Sequence, residues 1–216
     1  MITKEHIESL GWEVEEIDEQ LWMIKNFISE EHVSRIMELI ESATEEDWKK
    51  HYMNGIKQFA LQKFKSDDIE TLLAQGKIEI TWKWLDKNLF LDIPEVRDAF
   101  NRPVADIVAA DPRLVFNGVG TIQRQYEGAE LVIHVDNHTD PSLEWAVIIY
   151  LNDDYTDGEL IFPDRGIEIK PPARSMVMFP THEGYRHGVK PPGAGPKRYV
   201  LPSFVGVKNF YNEHTF

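Results

Sequence analysis

From Arg113 to near its end the chain is a series of short apolar runs separated by Gly, Pro, Asn and Asp. The runs are Leu114–Phe116, Thr121–Tyr126, Leu131–Val135, Trp145–Leu151, Leu160–Phe162, Ile167–Ile169, Met176–Phe179, Tyr185–Val189 and Tyr199–Val207. None reaches the roughly 11 residues of an average helix. Short runs with frequent turn formers predict an all-β sandwich or barrel for this half of the chain.

The first half reads differently. Ile7, Leu10, Trp12, Val14 and Ile17 are interspersed among acidic residues, and Gly11 breaks a short first helix. Leu21–Phe27 predicts a strand. Ser29 has the chemistry of an N-cap, and Glu30 and Glu31 favour a first helical turn. Val33, Ile36, Met37 and Ile40 recur at helical spacing, which predicts a helix near residues 30–43. Thr44, with Asp47 three residues on, predicts a cap for a following helix.

Residues 45–65 mix aromatic residues with Lys49, Lys50, Lys57, Lys63 and Lys65. They form either a solvated helix face or one wall of a substrate groove. Ser66 and Asp67 open a short helix to Gln75, which Gly76 ends. Lys77–Leu85 alternates cleanly and predicts a strand, with Trp82 and Trp84 on one face. Pro94 suits the start of a helix through Val96, Phe100, Val104 and Ile107, and Pro103 predicts a kink or split in it. Trp82 and Trp84 need a partner surface. The mostly helical lead, 1–112, and the β-rich half, 113–216, are therefore expected to form a single domain over 1–216.

Charge and composition narrow the function. The formal net charge of −14 argues against non-specific binding to nucleic acid or to an anionic membrane. With no cysteine, a disulfide framework, a zinc-thiolate site and a cysteine nucleophile are all ruled out. The first residues are acidic and lack the apolar core of a signal peptide. No apolar stretch approaches the length of a membrane span. The expectation is a soluble, cytoplasmic protein.

The chemistry is concentrated in Leu131–Asp140, L-V-I-H-V-D-N-H-T-D. On a strand, side chains at i and i+2 point to one face, so His134 and Asp136 project together. An imidazole and a carboxylate are two of the three ligands of a 2-His-1-carboxylate triad, the pattern of non-haem Fe(II) sites with open positions. A His two residues before an acid is common: 8 His and 37 acids in 216 residues give about one such pair by chance. The chain has His6/Glu8, His134/Asp136 and His138/Asp140. The first lies in an expected helix, where i and i+2 do not face each other. The third runs into Pro141 and reads as a loop. Only His134/Asp136 ends a convincing strand. A second His must come from a distant strand. His182, His187 and His214 are available, and Y-R-H-G-V gives His187 the best strand context.

Residues 122–205 resemble the catalytic half of the Fe(II)- and 2-oxoglutarate-dependent oxygenases, in their prolyl 4-hydroxylase-like branch. H-V-D-N resembles the family's proximal ligand motif, and I-I-Y-L-N, Ile148–Asn152, its following strand. D-G-E-L-I-F-P, Asp157–Pro163, resembles a Gly-Gly-x-x-x-Phe turn with Asp157 at the first Gly. R-S-M-V-M-F-P leads to His187, and G-P-K-R-Y, Gly195–Tyr199, carries a basic residue at the family's spacing. Arg174 stands where many members carry Gly, which predicts a different turn. Pro202 inside the last run predicts a bulge or an edge.

The resemblance implies an α+β fold: a double-stranded β-helix, or jelly roll, with N-terminal helices packed on the major sheet. It implies Fe(II) held by His134, Asp136 and His187, with 2-oxoglutarate and O2 as cosubstrates and ascorbate as an accessory reductant. Arg198 would hold the far carboxylate of 2-oxoglutarate, since Arg offers a planar bidentate fork. Alternation points only one of Lys197 and Arg198 inward. Tyr126 is a candidate hydroxyl donor to the same carboxylate, or a core tyrosine. The implied function is hydroxylation of prolyl residues in a peptide or protein. Two rivals are an oxygenase of the same kind acting on a small molecule or another side chain, and a non-enzymatic cupin-like metal-binding module. An extended peptide needs an open groove, expected between Asn137–Glu144 and the stretch around Trp48–Phe64, with a disordered or mobile loop near residues 137–144 or 50–65.

Overall fold

The computed structural model describes residues 1–51, 71–72, 75, 86–90, 94–116, 118, 121–129, 131–138 and 140–210. The predicted strand Lys77–Leu85 with Trp82 and Trp84, most of the basic stretch 45–65, most of the short helix ending at Gln75, and His214 lie outside them.

All nine apolar runs form strands: β5 (Leu114–Phe116), β6 (Thr121–Gln125), β7 (Leu131–His134), β8 (Leu143–Tyr150), β9 (Leu160–Phe162), β10 (Ile167–Ile169), β11 (Met176–Pro180), β12 (His187–Val189) and β13 (Arg198–Val207). The first half adds α1 (Lys4–Ser9), β1 (Val14–Asp18), β2 (Leu21–Ile24), α2 (Glu30–Ser42), β3 (Lys49–His51), β4 (Asp86–Phe90) and α3 (Pro94–Val108). The larger sheet runs β1-β2-β11-β8-β13-β6-β4-β3, with β5 also paired to β13, and the smaller runs β10-β9-β12-β7. Two antiparallel sheets face to face make a jelly roll, the double-stranded β-helix.

The larger sheet is buried on both faces, and its sequence follows from that. On β8, Trp145, Val147 and Ile149 join the helices in one core, while Ala146 and Tyr150 join the smaller sheet in another. On β11, Met176 and Met178 face the helices, and Val177 and Phe179 face the smaller sheet. Strands buried on both faces need apolar side chains at every position, so they read as continuous runs. The helical layer supplies Ile36 and Ile40 from α2 and Val96, Phe100, Val104 and Ile107 from α3. Each such side chain, fully buried, contributes roughly 1.5–3 kcal/mol.

Several local expectations change. The strand from Leu21 ends at Ile24, and Asn26 takes a left-handed backbone, φ 52°. The Ser29 hydroxyl caps α2, accepting from the His32 amide at 3.2 Å. Thr44 caps no helix. The Asp47 carboxylate instead accepts from the Thr44 amide and hydroxyl at 2.7 and 2.8 Å, closing a turn before β3. Pro103 lies inside α3, which continues from Pro94 to Val108 without a break. Its missing N–H deprives only one carbonyl, and the buried face of the helix outweighs that loss. Arg174 keeps the left-handed conformation that favours glycine, φ 69°, with its Nε donating to the Ile28 carbonyl at 2.9 Å. Pro202 sits in regular register opposite Ile148, and the irregularity on β13 falls later, between Val205 and Gly206. On the other side of β13 the pairing passes from β6, which ends at Val200, to β5, which begins at Val205, so Pro202 faces the gap.

Candidate metal centre

β7 and β12 are antiparallel neighbours, and their register sets His187 opposite His134. The ring centres are 4.4 Å apart. Asp136 arrives by another route than strand alternation: β7 stops at His134, and a 3-10 turn over Asp136–His138 swings the carboxylate back toward both rings. One ligand atom from each of His134, Asp136 and His187 lies within 4.8 Å of the others, the only such group among the described residues.

Both imidazoles are oriented alike. His134 Nδ1 lies 2.8 Å from the Val132 carbonyl, and His187 Nδ1 lies 3.0 Å from the Tyr185 carbonyl. A carbonyl can only accept, so Nδ1 carries the proton and the Nε2 lone pair is left for a metal. Each Nε2 faces one oxygen of Asp136, 3.2 Å for His134 and 3.6 Å for His187. The Oδ2 atom of Asp136 is buried and accepts no hydrogen bond. A buried, unpaired carboxylate oxygen beside two free imidazole lone pairs is a donor set that fits a divalent cation.

The two histidines titrate in opposite directions. Burial, joined by the neighbouring His134, pulls His187 down to about 4, more strongly than Asp136 and the Tyr185 carbonyl raise it. Burial also pulls His134 down, but its hydrogen bond and charge contact with Asp136, helped by the Val132 and His187 carbonyls, leave it raised. Phe179 and Phe162 wall in His187, with ring centres 4.6 and 5.8 Å away. His138 stands outside the cluster, exposed, with Nε2 2.8 Å from Glu183 Oε1. His182 caps a 3-10 turn, its Nδ1 accepting from the Gly184 amide at 3.2 Å.

A second buried polar group lies between the sheets. Arg198 opens β13 and is 2% exposed, while Lys197 is half-buried with its Nζ 5.0 Å from the Tyr126 ring centre. Arg198 Nη1 donates to Gln125 Oε1, its register partner on β6, and Nη2 donates to the Tyr150 hydroxyl at 3.2 Å. The Tyr155 ring centre lies 6.0 Å from the guanidinium carbon. Tyr126, the sequence candidate for this neighbourhood, has its ring between Lys197 and Arg124, whose guanidinium carbon is 5.1 Å away. Gln125 alternates with Tyr126, and the inward position goes to Gln125. Tyr150 was legible from alternation along β8, where it shares a face with Ala146. Tyr155 lies beyond the strand, where no period applies.

A surface cleft of about 500 Å³ lies elsewhere. Met37, Leu151 and Tyr199 line it, all on the helix side of the larger sheet, away from the three clustered ligands.

The 2OG-Fe(II) oxygenase superfamily matches residues 121–206, which span the whole cluster and Arg198. Its members use Fe(II), 2-oxoglutarate and O2. Among solved structures, a prolyl hydroxylase from Trichoplax adhaerens, in complex with a hypoxia inducible factor oxygen degradation domain peptide fragment, is 14% identical; it covers 97% of this chain and 91% of its own, at a TM-score of 0.66. A Pseudomonas putida prolyl-4-hydroxylase is 16% identical, covering 94% and 97%, at 0.55. A viral collagen prolyl hydroxylase from Paramecium Bursaria Chlorella virus-1, as a 2OG complex, is 13% identical, covering 88% and 96%, at 0.58. At such identities the likeness establishes the jelly-roll fold. No curated protein matches the sequence. Among the described residues, no helix is long and apolar enough to cross a membrane.

Proposed function

We propose that this chain is an Fe(II)- and 2-oxoglutarate-dependent dioxygenase that hydroxylates prolyl residues of a peptide or protein. The observation that carries the reading is the convergence of His134 Nε2, His187 Nε2 and the Asp136 carboxylate within 4.8 Å, with both Nδ1 atoms committed to carbonyls. In this reading His134, Asp136 and His187 would hold Fe(II), the metal their donor set suits. Iron held there would supply the chemistry that joins oxidative decarboxylation of 2-oxoglutarate, giving CO2 and succinate, to substrate hydroxylation, one atom of O2 ending in succinate and the other in the new hydroxyl. Arg198 holds the distal carboxylate of 2-oxoglutarate through its guanidinium fork, which Gln125 and Tyr150 keep oriented. Phe162 and Phe179 keep water from His187. The prolyl and peptide parts draw support from the fold likeness to the Trichoplax adhaerens, Pseudomonas putida and viral prolyl hydroxylases.

The test is succinate formation with Fe(II) and 2-oxoglutarate, alone and with proline-containing peptides, followed by mass spectrometry of the peptide. Peptide-stimulated succinate and one added oxygen on proline are expected. Stimulation by metabolites and not by any peptide would sink the prolyl reading. No succinate from iron-loaded protein under any condition would leave a metal-binding module.

A further inference from the structure

The backbone that carries Arg198 is paired by a strand on one side only. On the β6 side Arg198 is the register partner of Gln125. On the β8 side the ladder starts at Val200, opposite Tyr150, with one more bond from the Leu151 amide to the Tyr199 carbonyl at 3.0 Å. β8 itself ends at Tyr150, and the chain reaches β13 through Ala194, Gly195 and Pro196, all exposed. The Lys197 carbonyl and the Tyr199 amide, which flank Arg198, therefore have no strand backbone to pair with on that side.

The side chain of Asn152 takes the place of that strand. Its Oδ1 accepts from the Tyr199 amide at 2.8 Å, and its Nδ2 donates to the Lys197 carbonyl at 2.8 Å. A side-chain amide carries both the donor and the acceptor of a peptide unit, so it extends the ladder one step across Arg198. Nδ2 also donates to Asp154 Oδ1 at 2.7 Å, so a flipped amide would set its oxygen against two acceptors. Three hydrogen bonds thus fix the orientation of the amide. Asp at this position would lack the donor, and Leu would lack both groups.

We infer that Asn152 is a positioning residue for cosubstrate binding, holding the backbone on both sides of Arg198 so that the guanidinium keeps its place between the sheets. This role presupposes the reading of the chain as a 2-oxoglutarate oxygenase, in which Arg198 holds the distal carboxylate. Asn152 lies in the outer cleft that it shares with Lys197 and Tyr199, and it acts only through Arg198. Binding groups must be held to within about 0.5 Å of their productive place, so slack at the root of Arg198 weakens the grip of its fork.

The experiment is calorimetric titration of the Mn(II)-loaded protein as wild type, Asn152→Leu, Asn152→Ala and Arg198→Ala. The titrants are 2-oxoglutarate and 2-oxovalerate, which carries a methyl group in place of the distal carboxylate and so makes no use of Arg198. Asn152→Leu keeps the shape of the side chain without its hydrogen bonds, and Asn152→Ala serves where the leucine is not accommodated. Either is expected to weaken 2-oxoglutarate binding about tenfold, with 2-oxovalerate and Mn(II) affinities at wild-type values. In succinate formation either should raise the KM for 2-oxoglutarate more than it lowers kcat. Unchanged 2-oxoglutarate affinity in both, with a clear loss in Arg198→Ala, would overturn the role of Asn152 and leave the oxygenase reading intact. Equal weakening of both oxo acids, or failure of both Asn152 variants to fold, would make Asn152 a structural residue and overturn the inference. If Arg198→Ala itself binds 2-oxoglutarate like the wild type, the cosubstrate reading falls and this inference falls with it.

Discussion

His134 and His187 are register partners across β7 and β12, so a single antiparallel pairing brings together two imidazoles far apart in sequence. Gly188 makes the close approach possible. A Cβ there would meet the Leu131 carbonyl at 2.6 Å and Ile133 Cδ1 at 2.9 Å. The metal geometry is therefore a property of strand pairing, and any change that slips the register separates the ligands.

His134→Ala is expected to abolish Mn(II) and Co(II) binding and all succinate formation, with the melting temperature little changed. The loss exceeds the roughly 10–100-fold typical of an outer-shell partner, because a ligand itself is removed. His138→Ala is expected to leave metal affinity and turnover at wild-type values, since its imidazole meets Glu183 and not the cluster. Calorimetric metal titration checks both. Loss of binding in His138→Ala with retention in His134→Ala would refute the ligand assignment.

Arg198→Ala removes a guanidinium buried between the sheets, and in the proposed complex it strands a carboxylate. The expected cost is about 3–5 kcal/mol of cosubstrate binding, which appears as a steep rise in the 2-oxoglutarate concentration needed for half-maximal succinate formation. Lys197→Ala is expected to leave that concentration nearly unchanged, because Lys197 lies over Tyr126 on the other face of the strand. Equal effects from the two variants would contradict a single inward cation.

The helix starting at Ser29 and the nine strands of the second half were legible because period and turn chemistry are local. That only one of Lys197 and Arg198 turns inward was legible from alternation, while the choice of Arg198 came from the family resemblance. Asp136 does lie beside both histidines, but strand alternation does not put it there, and the 3-10 turn that delivers it leaves no periodic signal. For Tyr126 two readings stood side by side, a donor to the cosubstrate or a core tyrosine, and only the register of β6 shows that Gln125 is the side chain that meets Arg198. Tyr155 and the Gly188 contact depend on chain segments meeting in space, and no local pattern encodes them.

Asp111 gives a test of stability against pH. Its carboxylate accepts from the Arg113 amide, Nε and Nη2 at 3.1, 3.0 and 2.7 Å, fastening the connection between α3 and β5. The Arg113 hydrogen bonds hold the carboxyl at about 2, below its ordinary 3.8. A folded-state pKa below the unfolded value stabilises the protein above the unfolded pKa, and that contribution is lost as pH falls through the folded one. Stability is therefore expected to decline between about pH 4 and pH 2 by about 1 kcal/mol from this group, a value kept small because Arg113 is largely exposed. Urea unfolding of wild type and Asp111→Asn should differ by that amount at pH 7 and converge near pH 2. A constant difference across the range would exclude the ion pair as its source.

The carbonyl that orients His187 belongs to Tyr185, and Tyr185 is fixed from the N-terminal hairpin. Its hydroxyl donates to the Glu19 carbonyl at 2.6 Å, and the Arg165 guanidinium carbon lies 4.0 Å from its ring centre. Arg165 also donates from Nε to the Gly184 carbonyl at 2.8 Å and pairs with Asp18 through Nη1. The turn between β1 and β2 is thereby coupled to the backbone that sets the ring of a proposed metal ligand. Arg165→Ala should lower Co(II) affinity about tenfold, in the range seen when an outer-shell partner is lost, and should broaden the visible absorption of the bound cobalt. Arg165→Lys keeps the charge without the planar fork and should recover only part of the loss. Tyr185→Phe should act in the same direction and more weakly, because the stacked ring remains. A lowered melting temperature in Arg165→Ala with cobalt affinity and spectrum unchanged would show that the hairpin contact supports the fold without orienting His187.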